Sequence, residues 1–244
     1  MGAVVQDQSS AFDTNLSTSW AISFGSNITA GNLIYCWGGS ISNVGSASPT
    51  DTRAHTYTLI RSTYDATADF THTTWYAKNT SAGANTTTLD ATYQNNFCRM
   101  GVLEISGLNT TTPLDGAIEV GAVDATTNGT DTASAGTLVT TNASDFLVGS
   151  AQNVVQGEVG TLTFTAGTSW TGRTPTGGPH VGKMQTRVVS STGSYTAAFS
   201  GDVDQRSIIH GVAFQDAAGE ATQAQIWPSI QQGILNPMIG RRYV

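Results

Sequence analysis

Four histidines, two cysteines and seventeen acids are the groups in this 244-residue chain best suited to moving protons, attacking carbonyls or holding metal. The histidines, His55, His72, His180 and His210, are scattered, without the close spacing of a zinc site. His55 and His72 would meet only if their strands were neighbours. Serine, histidine and aspartate are all present. No Gly-x-Ser-x-Gly turn presents a serine as nucleophile, and in so serine-rich a chain the three types together carry no signal.

Paired carboxylates would suit glycoside hydrolysis. Glu104 and Glu119 are the acids most embedded in strand-like runs, whereas Glu158 falls at a turn. Glu104 alternates with Val102 and Ser106, which predicts a half-buried, hydrogen-bonded structural glutamate. Asp124, Asp131, Asp202 and Asp204 lie in loops, where carboxylates can gather calcium, but their spacing is not that of an EF-hand. The Gly172–Gly182 stretch lacks Gly-Lys-Ser/Thr and opens no helix, so it reads as a long exposed connection rather than a phosphate loop. Trp37, Trp170 and Tyr64 lie at strand ends or in loops. They are the candidates for stacking on sugar, against the plainer alternative of core or interface packing. The expectation is no catalytic residue, no metal ligand and no cofactor.

The runs that would carry these residues are short, alternating or apolar, and bounded by Gly, Asn, Asp, Ser or Pro. They are Trp20–Phe24, Asn32–Trp37, His55–Ser62, Thr71–Lys78, Thr86–Thr92, Phe97–Ser106, Ala117–Val123, Gly136–Thr141, Asp145–Ala151, Gly160–Thr165, Gly182–Ser190, Ser194–Ser200 and Ser207–Phe214. Asp90–Phe97 offers one short helical turn. In the last run Ile208, His210, Val212 and Phe214 oppose Ile209, Gly211 and Ala213, so it is apolar on both faces and central. Trp75, Leu103, Ile105, Leu147, Val148, Val212 and Phe214 are the expected core. No period of 20–50 residues marks a solenoid or propeller. The fold class is therefore all-β: an antiparallel two-sheet sandwich, jelly-roll or immunoglobulin-like, over residues 20–214. Residues 1–19 read as an N-terminal arm and 215–244 as a linker and C-terminal arm.

Only 11% of the residues are charged, against about 25% in an average soluble domain. Threonine suits exposed strand faces, and 27 glycines supply turns. A net charge of -7 with two lysines, Lys78 and Lys183, gives no hold on a phosphate backbone, so no nucleic-acid partner is expected. No apolar run is long enough to insert into a membrane. Residues 1–13 have neither the basic nor the apolar region of a signal peptide, and Gln6 breaks the myristoylation pattern that Met1-Gly2 begins. Seven Asn-x-Ser/Thr triplets are the number chance provides in such a sequence, and no glycosylation is expected. Cys36 and Cys98 could pair if their strands adjoin; two buried free thiols are the plainer expectation.

The segment Ala221–Val244 differs from the rest. Ile226, Trp227, Ile230, Ile234, Leu235, Met238 and Ile239 precede Arg241, Arg242 and Tyr243, while Pro228, Gly233, Pro237 and Gly240 break any regular element. Fully burying one such apolar side chain is worth about 1.5–3 kcal/mol, so the segment is expected to lie on a partner surface, and these ten residues are the candidate partner contacts.

Ordered landmarks run through the chain. They are Trp75-Tyr76-Ala77-Lys78-Asn79, Gly83-Ala84-Asn85-Thr86-Thr87-Thr88, Arg99 to Val102, Glu104-Ile105-Ser106-Gly107-Leu108 and Pro113-Leu114-Asp115. Asp145-Phe146-Leu147-Val148-Gly149, Val188 to Tyr195 and Ile208 to Phe214 follow. Over residues 20–214 the chain resembles the β-sandwich proteins of tailed bacteriophages, often attached to virion surfaces or fibres. The resemblance implies a structural or adhesive role, with no catalytic residue to carry over. The leading expectation is a capsid decoration or cement protein, assembled in the host cytoplasm and displayed on the virion surface. Its partners would be the major capsid protein or other virion subunits, and further copies of itself, as a trimer. The alternative is a tail-fibre or receptor-binding module that holds a host glycan.

Overall fold

The computed structural model describes residues 1–12, 17–41, 47–95, 98–124, 132–154, 163–176, 181–201 and 206–217. Among them 65% lie in strands and none in an α-helix, and the sheets are antiparallel. The first half supplies β1 (Ala3–Phe12), β2 (Ser17–Ser23), β3 (Leu33–Ile41), β4 (Thr50–Asp51), β5 (Thr58–Asp65), β6 (Phe70–Ala77), β7 (Thr86–Asn95) and β8 (Cys98–Ser106). The second supplies β9 (Leu114–Asp124), β10 (Thr132–Val139), β11 (Asp145–Asn153), β12 (Thr165–Ala166), β13 (Thr171–Gly172), β14 (Gly182–Val189), β15 (Ser194–Ser200) and β16 (Ser207–Gln215).

The two halves repeat one topology. The first eight strands form a five-stranded sheet, β1-β8-β3-β6-β5, and a three-stranded sheet, β2-β7-β4. The last eight form β9-β16-β11-β14-β13 and β10-β15-β12. Within each half the order is first-eighth-third-sixth-fifth and second-seventh-fourth. Irregularities repeat as well. The first strand slips register against the eighth, and the second against the seventh, in both halves. Slips of this kind are built into a backbone rather than scattered at random, so their recurrence marks the same eight-strand unit used twice.

Side-chain alternation decides how the sheets stack. On β3, Tyr35 and Trp37 point one way, with Leu103, to meet Phe146, Val148, Met184, Val212 and Phe214 of the second unit. The two five-stranded sheets thus lie face to face. Ile34 and Cys36 point the other way, with Trp75 and Val102, onto Trp20, Ile22 and Leu89 of the β2-β7-β4 sheet. In the second unit Leu147, Ile209 and Ala213 meet Leu138, Ala197 and Phe199 of the β10-β15-β12 sheet. The result is four layers. The inner sheets are covered on both faces, which is why Ser207–Phe214 reads apolar throughout. All seven residues expected in the core are buried.

The single two-sheet sandwich expected over residues 20–214 is instead four sheets in two eight-strand units, and several local expectations change as well. Residues 3–12, read as part of an arm, form an edge strand paired along β8. Of Asp90–Phe97, read as a helical turn, the described part Asp90–Asn95 continues β7, whose Leu89 is buried opposite Trp20. Sheet pairing and core contact outweigh local helix preference there. Of Gly160–Thr165, only Thr165 lies in a described strand. Cys36 and Cys98 are free and buried, and burial pushes both thiols up from their ordinary pKa.

Candidate functional site

The structure brings Asp51, His55 and Ser81 together. Asp51 ends β4, and a turn closed by Ala54 N–H donating to Asp51 O sets His55 beside it. His55 Nδ1 lies 2.8 Å from Asp51 Oδ2, and His55 Nε2 lies 3.1 Å from Ser81 Oγ. These are the spacings of a nucleophile, a base and an orienting acid. One further bond decides the chemistry. The Ser81 backbone N–H donates to His55 Nε2 at 2.9 Å. That bond occupies the lone pair a general base needs, and uses an amide that would otherwise stabilise an oxyanion. Asp51 also accepts from the backbone N–H groups of Arg53 and His55, from Tyr57 Oη and from Asn85 Nδ2. Burial alone would raise the Asp51 carboxyl, but the bonds from His55 and Tyr57 hold it below the ordinary range. The group is a clip between two turns of the first unit. Asp51 and His55 share one turn, whereas Ser81 is 26 residues from His55 and is brought to it by the fold.

The other expected groups are placed as follows. Glu104 is fully buried and accepts from Gln6 Nε2 at 2.7 Å, Thr29 N at 2.7 Å and Asn32 Nδ2 at 2.6 Å. It is hydrogen-bonded as its strand position predicted, but fully rather than half buried. Glu119 sits on β9 of the other unit. His72 does not meet His55. It meets His210 between the two inner sheets, with ring centroids 4.6 Å apart. No group of three or more His, Cys, Asp or Glu suited to a metal occurs among the described residues. Trp37 is buried in the seam between the units, and Tyr64 is exposed with its hydroxyl on Asp69. Glu158, His180, Asp131, Asp202 and Asp204 lie outside the described residues, as do Ile226, Trp227, Ile230, Ile234, Leu235, Met238, Ile239, Arg241, Arg242 and Tyr243.

Trp170 is buried in the core of the second unit, the plainer of the two expectations, and borders a concave site. A cleft of about 670 Å³ opens beside it, walled by Thr165 and Thr168, by Ser194, Thr196 and Ser200 of β15, and by Tyr195 and Arg187. The size is within the range of small-ligand sites, about 300–1,000 Å³. On β15, Ala197 and Phe199 point into the core, which leaves Thr196 and Ser200 facing out. Beyond its two-residue pairing with β12, the free edge of β15 is covered by side chains. Trp170 Nε1 donates to Thr196 O at 3.1 Å, and Gln185 Nε2 to Ala198 O at 3.0 Å. The Arg187 guanidinium lies over the Tyr195 ring, 4.9 Å from its centroid. The ring is itself fixed by Tyr195 Oη donating to Ser191 O at 2.7 Å. Among the described residues no carboxylate pairs with Arg187. Sequence reading picked out Trp170 but not Arg187 or Tyr195, because nothing in the spacing says that β14 and the start of β15 face one another across a hollow.

Compared with known protein families, with curated proteins and with solved structures, the chain matches none of them.

Proposed function

We propose that the protein is a non-enzymatic structural component of a tailed-phage virion, a decoration or cement protein of the capsid surface. In this reading each eight-strand unit is a jelly-roll sandwich, and the two stand back to back as one stiff body. Residues 221–244 form the arm that grips the major capsid protein or a neighbouring copy. The observation that carries the reading is the contrast between body and tail. The reactive-looking groups Asp51, His55, Ser81, Glu104, His72 and His210 are all engaged in bonds that hold turns and sheets. The tail holds seven apolar side chains and a basic end, and its prolines and glycines keep it from covering them with a regular helix. Gold labelling of purified particles tests this: label on heads is expected, and absence from particles overturns it. Deleting residues 221–244 is expected to leave the body folded and abolish attachment.

A second reading, a tail-fibre or receptor-binding module, is favoured by the cleft beside Trp170. Label on tails rather than heads would select it.

A further inference from the structure

We infer that the cleft of the second unit is a binding site for a carboxylate-bearing sugar residue of a glycan, with Arg187 as the group that reads the carboxylate. The inference deepens the receptor-binding reading and does not depend on the capsid one.

The internal duplication gives the first argument. In both units the short fourth strand is followed by a turn with a left-handed residue, Ala54 (φ 58°) in the first and Ser169 (φ 68°) in the second. The next side chain, His55 or Trp170, then bonds back to the neighbouring chain. The two places correspond, yet they are filled differently. In the first unit the Asp51–His55–Ser81 clip occupies the place, and the Arg53 guanidinium stands against Gly83, where a Cβ would meet Nη1 at 2.9 Å. In the second unit Asp51 is matched by Ala166, and the space stays open. The same strand arrangement thus occurs with side chains filling the place, so the strand order alone does not dictate a cleft.

The chemistry of the walls gives the second. Five hydroxyl side chains, Thr165, Thr168, Ser194, Thr196 and Ser200, line the cleft, and each can both donate and accept, as the hydroxyls of a sugar require. Arg187 adds a cation in a chain of net charge -7. It is half-buried, held in place by stacking on Tyr195, and without a carboxylate among the described residues. A guanidinium so placed presents donors in a plane that matches a carboxylate. The overall negative charge opposes a densely anionic polymer but not one acidic sugar seated at a local cation.

Isothermal titration against oligosaccharide pairs tests the site. Each pair joins a glucuronate- or neuraminate-bearing glycan to its neutral counterpart. Acidic members are expected to bind, and neutral partners at least tenfold more weakly. Arg187→Gln is expected to abolish that difference, and Arg187→Lys to restore part of it. Should Arg187→Gln fail to fold, Thr168→Trp, on the exposed turn, fills the cleft from outside and is expected to abolish binding. Equal binding of acidic and neutral members overturns the carboxylate assignment while leaving a glycan module standing. Binding unchanged in folded Arg187→Gln or Thr168→Trp places the ligand elsewhere and overturns the site. No binding by any saccharide overturns both the site and the receptor-binding reading.

Discussion

His72 of the first unit and His210 of the second hydrogen-bond across the seam in opposite directions. His72 Nε2 meets Ser150 Oγ of the second unit at 2.9 Å, while His210 meets Thr74 Oγ1 at 3.2 Å and Thr63 Oγ1 at 2.9 Å of the first. Each ring closes a polar gap in the opposite five-stranded sheet, so the pair acts as a reciprocal latch between the repeats.

That latch makes acid the natural way to part the units. Burial holds His72 down, to about 4, and holds His210 well below the ordinary value, with His72 and Arg61 opposing its charge. Tyr35, Gln152, Ser150, Thr63, Thr74 and the Trp37 ring also stand beside the pair, and none of them is an anion that could stabilise an imidazolium. A histidine depressed in the folded state stabilises fully above its unfolded value near 6.5, and that contribution is lost as pH falls through the folded value. The melting temperature is expected to drop between pH 6.5 and 4. In folded His72→Gln the drop should be shallower; an unchanged slope would assign it to other groups.

Asp145 works in the opposite sense. Burial first, and then the neighbouring carboxyl groups of Asp115 and Asp216, push it up to about 8. Asp115, accepting from the Thr141 hydroxyl and amide and from Asn142, is held low despite burial. A raised carboxyl stabilises fully below its unfolded value near 4, and the contribution disappears as pH rises through 8. Urea midpoints of the wild type are expected to fall between pH 7 and 8, above the range in which His72 and His210 act. Asp145→Asn, which cannot ionise, should flatten the decline.

Gly182 lies where Trp37 crosses the seam. A Cβ there would overlap the six-membered ring of Trp37, and Gly101 closes the slot from the other side. Gly182→Ala is therefore expected to cost about 1–3 kcal/mol by overpacking, read from denaturant unfolding. Trp37→Phe in the same chain should recover part of the loss. Simple additivity of the two costs would show that the residues do not share this space.

Glu104 is fully buried and accepts three hydrogen bonds. Glu104→Gln turns a donor towards Gln6, Thr29 or Asn32 and leaves at least one of them unsatisfied, at about 1–3 kcal/mol. The expected result is a lower unfolding midpoint and nothing else. A glycan-cleaving activity of the wild type that vanished in this variant would refute the structural role.

Much of the fold was legible in the sequence. Alternation and turn residues bounded most strands, and the core set around Trp75, Leu103 and Phe214 followed from runs apolar on one or both faces. The edge strand Ala3–Phe12 was missed because an edge strand with one half-exposed face, Val5 included, carries little apolar signal. The candidate site was less legible. Trp170 was visible as an aromatic in a loop, whereas Arg187 gained meaning only through the Tyr195 ring beside it.

By itself the sequence determined what is local: the period-two pattern that commits the chain to strands, the turns that end them, and the apolar segment after residue 220. Tertiary structure alone decided that two halves without evident sequence repetition share one strand order. Topology depends on which strands pair, and many different side chains satisfy the same pairing as long as each face stays apolar or polar. Tertiary structure alone also brought His55 to Ser81 and His72 to His210. Such contacts depend on register between strands distant in sequence, and no spacing along the chain records it.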